Sequence, residues 1–139
     1  MRLSILVLAL ILPGVGGDDA KAKKDLDRLQ GDWPVVSCHV GLSEVTSPEG
    51  AHLLSFKGDQ MANVWNGKQP KQRSTIKLDP TKSPATIDMV SGEHTFQGIY
   101  EFDGKRLRIC CNQKTRPTRF DANGQADAPR NVLYDLKRE

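Results

Sequence analysis

The feature that most constrains this chain is a two-residue alternation of apolar and polar side chains, which recurs in short segments after Gly31. Turn signals such as Asn66-Gly67 and Asp103-Gly104 separate neighbouring segments. This alternation predicts antiparallel strands with one buried face. The eight predicted strands span residues 33–38, 52–56, 61–65, 74–78, 85–90, 95–102, 106–111 and 131–137.

The fold class predicted from these strands is mainly β. No helical segment separates them, so consecutive strands are expected to pair as antiparallel neighbours in one sheet. A flat sheet would leave two exposed edges, whereas closure into an eight-stranded up-and-down barrel removes both. A two-sheet β-sandwich is the alternative. The 139 residues suffice for one such domain.

The N-terminal segment carries the pattern of a secretory signal peptide. A short positive start at Arg2 precedes an apolar run over residues 3–12, and Pro13 with several glycines follows it. We predict a signal peptide over residues 1–17, with cleavage after Gly17 or Gly16; an uncleaved anchor is the alternative. The mature protein would be periplasmic or secreted, with no transmembrane span.

A short helix is predicted to lead into the barrel. Asp18 and Asp19 can cap a helix over residues 18–31, and Leu26 and Leu29 lie on its apolar face. Gly31 is well placed to end it. Residues 32–139 would then form the barrel domain.

Three cysteines would meet an oxidising environment after export: Cys38, Cys110 and Cys111. Because the number is odd, at least one thiol stays free or pairs between chains. A disulfide between Cys38 and Cys110 is one expectation, and pairing of Cys38 with Cys111 is another. The alternative is that all three are small apolar side chains of the core.

Aromatic side chains alternate toward one face of several predicted strands. They could line a pocket for one small apolar ligand inside the barrel, or they could fill its core. The candidate ligand-binding residues are Trp33, Phe56, Phe96, Tyr100 and Phe102.

Positive charge accumulates near the end of the chain. Residues 105–139 hold 9 basic and 4 acidic side chains, against 10 and 13 in residues 18–104. Such a patch could bind an anionic glycan, a lipid headgroup or an acidic protein, or it could be an ordinary solvated face. The candidate residues are Arg106, Arg108, Lys114, Arg116, Arg119 and Arg130.

Motifs that carry known chemistry are not found in the sequence. It contains no Gly-x-Ser-x-Gly, no His-Glu-x-x-His, no Cys-x-x-Cys and no phosphate-binding glycine loop. We therefore expect no catalytic residues, no cofactor and no metal, although Cys38-His39 folded against Cys110-Cys111 could bind a soft metal. Nucleic acid is not an expected partner, because the basic segment lacks interleaved aromatic residues.

Two resemblances bear on the fold. Gly31-Asp32-Trp33, at the start of the first strand after a short helix, resembles the opening of lipocalin and calycin barrels. That resemblance implies a lipocalin-like barrel whose base is closed by Trp33. It also implies a basic side chain from a late strand over the indole, either Lys137 or Arg138.

Most of the mature chain resembles a narrower family, the small exported domains of unknown function that planctomycete-type bacteria carry in many copies. That resemblance implies export and a small β domain, but no catalytic residues. Cys38 and Cys111 depart from the family's usual pattern. The matching segments are residues 29–33, 56–59, 77–84, 87–88, 98–104, 107–110, 116–120 and 136–139.

The function that the sequence favours is a non-catalytic exported binding module. It would bind a small apolar molecule inside the barrel or an anionic envelope component at the arginine-rich loop. A structural or interaction module of the cell envelope with a filled barrel is one alternative. An enzyme whose site the sequence does not reveal is another.

Overall fold

The computed structural model describes residues 17–45, 51–70, 72–122 and 130–138. The predicted signal peptide lies outside the described residues except for Gly17. The elements are α1 (Gly17–Leu29), β1 (Gly31–Val40), β2 (Ser43–Glu44), β3 (His52–Lys57), β4 (Gln60–Trp65), β5 (Ser74–Asp79), β6 (Thr86–Ser91), β7 (His94–Asp103), β8 (Arg106–Asn112) and β9 (Val132–Lys137).

Strands β1 and β3 to β9 pair in that order in one antiparallel sheet, and β1 also pairs with β9. The second pairing closes an eight-stranded barrel, which confirms the predicted fold and excludes the sandwich. The sequence analysis missed β2, a two-residue strand that pairs only with the end of β1. Two residues are too few to show an alternation.

The number of paired residues differs between neighbouring strands of the barrel. Strands β3 and β4 pair over six residues each, whereas β4 and β5 pair only through Gln60–Thr75 and Met61–Ser74. The predicted turn at Asn66-Gly67 is present, with positive φ at both residues. It returns the chain only as far as Lys68, which bridges back to Trp65. The Asn66-Gly67 turn therefore does not join β4 and β5 as a tight hairpin.

Helix α1 seals one end of the barrel. Leu29 is fully buried in the core and Leu26 packs against it. The side-chain amide of Gln30 donates to the carbonyl oxygen of Gly58 at 2.9 Å, and its oxygen accepts from the Gly58 amide at 2.7 Å. This pair of hydrogen bonds ties the end of the helix to the turn between β3 and β4.

Trp33 lies at the centre of this sealed end, 1% exposed. Its indole nitrogen donates to the carbonyl oxygen of Leu29 at 2.7 Å. The guanidinium carbon of Arg138 lies 3.7 Å from the centre of its ring. The expected cation over Trp33 is confirmed, and it is Arg138, not Lys137.

A β-bulge in β1 decides which side chains enter the interior. Val35 pairs with Leu136 and Ser37 with Asp135, so Val36 is an extra residue that shifts the alternation by one. Cys38 then lies opposite Tyr134, which packs against the core. The bulge therefore turns Cys38 inward, where simple alternation would face it outward.

Candidate functional site

The outer loop, residues 113–122, follows β8 and lies against the outside of the barrel. At the start of this loop, the side-chain oxygen of Asn112 accepts a hydrogen bond from the backbone amide of Lys114 at 2.9 Å. The Arg116 guanidinium then donates to the carbonyl oxygen of Gly98 at 2.8 Å and to the Asp88 carboxylate at 2.6 Å. Arg116 thus attaches the outer loop to β6 and β7.

The attached loop forms one wall of a cleft on the outside of the barrel, which we call the outer cleft. It has a volume of about 580 Å³, within the range of roughly 300–1,000 Å³ typical of small-molecule sites. Strands β5 to β7 provide its floor, and the β5–β6 connection provides the opposite wall. The lining residues are Lys77, Asp79, Lys82, Ser83, Pro84, Thr86, Asp88, Ile99, Arg116, Pro117 and Thr118.

Strand register explains why the floor residues meet. Asp79 lies opposite Thr86, and Thr86 lies opposite Ile99 on the next strand. Lys77 lies opposite Asp88 two residues further along the same pair of strands. Cross-strand partners share a face of the sheet, so these side chains converge on the outer surface.

The two acidic residues of the outer cleft are already engaged. Asp88 is paired with Arg116. Asp79 accepts from the backbone amide and the hydroxyl of Thr81, and these bonds are the main reason that its pKa lies below the usual value. Lys82 and Lys77 add a smaller lowering of the Asp79 pKa.

The two lysines of the outer cleft have no such partner. Lys77 and Lys82 are exposed. Neither ammonium group forms an ion pair within 4.0 Å with a carboxylate of the described parts of the chain. The charge left available to a ligand in the cleft is therefore positive.

Four of the segments on which the predicted resemblance rests meet at this cleft. Residues 77–84 provide one wall, Asp88 and Ile99 part of the floor, and residues 116–118 the other wall. The sequence analysis assigned no role to Lys77 or Lys82. The positions of Lys77, Lys82 and Arg116 in the sequence do not predict that the three residues line one cleft. Their proximity results from the strand register and from the attachment of the outer loop.

The predicted basic patch does not form one free cationic face. Arg116 is held in the outer cleft, while Arg108 pairs with Glu101 and stacks on the Phe120 ring at 4.5 Å. Arg106 lies opposite Asp103. The remaining three candidates, Lys114, Arg119 and Arg130, are exposed, and Arg130 packs against Gly41.

Arg106 and Arg108 line a second, smaller depression on the outside of β7 to β9. Its volume is about 270 Å³, and Glu101, Asp103 and Asp135 complete its lining. Three carboxylates surround two guanidinium groups there, so this surface offers no excess of positive charge to an anion.

The five aromatic candidates for apolar-ligand binding all belong to the packed core. Trp33, Phe56 and Tyr100 are at most 2% exposed, and Phe96 and Phe102 pack against the same cluster. The Tyr100 hydroxyl donates to the Asp25 carboxylate at 2.7 Å. Burial first, and this carboxylate second, raise the pKa of Tyr100.

A buried polar cluster lies in the interior away from α1. His52, 2% exposed, shares a hydrogen bond of 2.6 Å between its Nε2 and Asn63 Oδ1, and its ring stacks on Trp65 with 3.6 Å between centres. Its Nδ1 has no hydrogen-bond partner among the residues that the structure describes. Desolvation by burial lowers the pKa of His52, and the hydrogen bond to Asn63 raises it by a smaller amount. The net effect is a pKa below the usual value, so the imidazole is neutral at neutral pH.

The disulfide predicted between Cys38 and Cys110 is wrong, since all three cysteines are free and buried. Cys38 faces the interior, whereas the Cys110 thiol points outward and lies 3.6 Å from the carbonyl oxygen of Asp121 in the outer loop. Cys111 faces inward too, but β9 lies between its strand and that of Cys38. Two strand spacings of about 4.8 Å exceed the roughly 7 Å that a disulfide can span between Cα atoms.

Burial disfavours the thiolate form of these cysteines, which is the reactive form. It raises the pKa of Cys38 and of Cys110, and that of Cys111 to about 12. His39, the neighbour of Cys38, falls on the opposite face of β1. Within the described ranges, no three His, Cys, Asp or Glu side chains come together as metal ligands.

Comparison with known proteins adds no relative: no family model, no curated protein and no solved structure matches this chain. Among the described residues, no helix is both long enough and apolar enough to cross a bilayer.

Proposed function

We propose that this protein is an exported, non-catalytic binding module that binds an anionic partner in the outer cleft. Export rests on the signal-peptide pattern of the first 17 residues, which predicts a periplasmic or secreted protein. Binding rests on the outer cleft and on the charges that line it.

The observation that carries the proposal is that the acidic side chains of the cleft have partners, whereas its lysines form no ion pair within the described chain. Asp88 is neutralised by Arg116 and Asp79 is hydrogen-bonded by Thr81, while Lys77 and Lys82 remain unpaired within the described chain. Both lysines line the cleft and both act electrostatically on Asp79, so both also act on an anion that enters the cleft.

The alternative ligand, a small apolar molecule inside the barrel, has less support. The five aromatic residues assigned to it are part of the packed core, and each contributes to barrel stability without a ligand. This packing also favours a filled-barrel interaction module of the cell envelope as the second candidate. That candidate differs from our proposal in needing no small ligand.

A binding titration with paired charge variants tests the proposal. Fluorescence anisotropy would follow a fluorescein-labelled polyaspartate peptide titrated with the full chain, Lys77→Gln/Lys82→Gln, or Lys105→Gln/Lys137→Gln. Lys105 and Lys137 are also exposed but lie outside the cleft lining. We expect about tenfold weaker binding for the cleft pair, a small change for the control pair, and weaker binding at higher salt.

Both double variants lose the same net charge, so a difference between them locates the binding surface. Equal affinities for the two variants would contradict binding in the outer cleft. The melting temperatures of all three proteins, measured in the same buffer, would show that the exposed substitutions leave the fold intact.

A further inference from the structure

We infer that the anionic ligand of the outer cleft is a carboxylated saccharide, a sugar acid of the uronic type. This inference rests on the proposed function, and it narrows the ligand from any anion to one chemical class. Three properties of the cleft lead to it: the kind of cation that is free, the acids beside it, and the neutral groups of the walls.

The free cations are ammonium groups. The guanidinium fork of Arg116, the group best suited to bidentate recognition of phosphate, is already occupied by the Gly98 carbonyl and the Asp88 carboxylate. Lys77 and Lys82 act instead as point charges, which pair with a single carboxylate without requiring a planar fork.

The acids of the lining limit its excess of positive charge. Lys77, Lys82 and Arg116 bring three formal positive charges and Asp79 and Asp88 two negative ones, so the lining has a net charge of +1. One carboxylate on a ligand balances that charge, whereas a phosphomonoester carries nearly two negative charges at neutral pH and exceeds it. A singly charged ligand therefore matches the lining.

The same acids can accept hydrogen bonds from a ligand that offers hydroxyl groups. An ionised carboxylate has about four lone-pair sites. The bond from Arg116 occupies one site of Asp88, on Oδ1. A saccharide supplies many hydroxyl donors, whereas a lipid phosphate or an acidic peptide supplies few.

The neutral part of the lining matches a sugar ring as well. Ser83, Thr86 and Thr118 bring hydroxyls that can both donate and accept, and Pro84 adds apolar surface for the C–H face of a ring. Because the cleft lies on the outside of the barrel, a saccharide held there can belong to a longer chain.

Isothermal titration calorimetry with matched ligands tests this assignment on the full chain. The probes are galacturonic acid, its methyl ester, which keeps the hydroxyls and loses the charge, and galactose 6-phosphate. We expect the free acid to bind at least tenfold more tightly than the ester and more tightly than the phosphate. Lys77→Gln/Lys82→Gln should remove the preference for the acid over the ester, and Lys105→Gln/Lys137→Gln should keep it.

A hydroxyl variant provides the second arm. Thr86→Val removes one hydroxyl from the floor at nearly constant volume, and we expect it to weaken binding of galacturonic acid several-fold. Thr95→Val, which removes an exposed hydroxyl outside the cleft lining, should leave that affinity unchanged.

The outcomes separate this inference from the proposed function. Equal binding of acid and ester, or tighter binding of the phosphate, would overturn the sugar-acid assignment. If the cleft lysines still governed binding of polyaspartate in that case, the proposed function would stand. If the affinity for neither polyaspartate nor galacturonic acid depended on the cleft lysines, both would fall.

Discussion

The sealed end of the barrel and the outer cleft both contain cationic side chains, but they use them differently. At the sealed end, Arg138 lies over the ring of Trp33 and Arg28 over that of Phe102, and Arg138 also donates to the carbonyl oxygen of Arg28. In the outer cleft, Lys77 and Lys82 are exposed without a comparable partner in the described chain. The number of cations in a region therefore says less about function than whether each cation already has a structural partner.

This comparison predicts opposite effects on stability. Trp33→Ala removes a buried indole, its hydrogen bond to Leu29 and its contact with Arg138. We expect a loss of about 3–5 kcal/mol in the free energy of unfolding, as for other large-to-small core substitutions. Urea denaturation followed by circular dichroism would measure it.

The matched variant from the other region is Lys77→Gln/Lys82→Gln, which should stay within about 0.5 kcal/mol of the wild type because both side chains are exposed. A cleft variant as unstable as Trp33→Ala would show that the lysines have a structural role and would remove the contrast between the two regions.

Arg116 sharpens the comparison because it belongs to the cleft but has structural partners. Arg116→Met removes its bonds to the Gly98 carbonyl and to Asp88, and leaves that carboxylate unpaired. Hydrogen bonds to charged groups contribute about 1.5–3 kcal/mol, and partial exposure of the pair places the expected loss nearer 1–2 kcal/mol.

The same substitution should weaken binding of the polyaspartate peptide, since Asp88 would repel it without compensation. Arg119→Met is the control, because Arg119 is exposed on the same loop and does not line the cleft. Urea titration and anisotropy on both variants would separate the two effects. Arg116→Met and Arg119→Met behaving alike in both measurements would contradict the role assigned to Arg116.

The sequence was sufficient to predict the barrel because the alternation is local. Ile76 with Leu78, and Ile87 with Met89, are buried as their spacing predicts. The closing contact over Trp33 was also predictable, from the resemblance and from basic residues at the end of the last strand. These features depend on nearest neighbours along the chain or on the order of the strands.

The outer cleft and the cysteines could not be predicted in this way, because they depend on register. One extra residue at Val36 turns Cys38 inward, away from the outward-facing Cys110. Arg108 was counted as a free cation, but its register places it opposite Glu101. Which charged side chains pair across strands cannot be predicted until the strand register is known.

The smallest expected effect concerns the cation of the sealed end. Arg138→Met keeps much of the aliphatic side chain and removes the charge above Trp33, so we expect a loss of about 0.5–1 kcal/mol. Lys137→Met is the control, because Lys137 is its exposed neighbour on β9. A double-mutant cycle of Arg138→Met with Trp33→Phe isolates the contact from other effects of either change. A coupling energy of zero would mean that Arg138 stabilises the sealed end only through its bond to the Arg28 carbonyl. The positive charge of Arg138 would then contribute no more to the stability of the fold than that of an exposed lysine in the cleft.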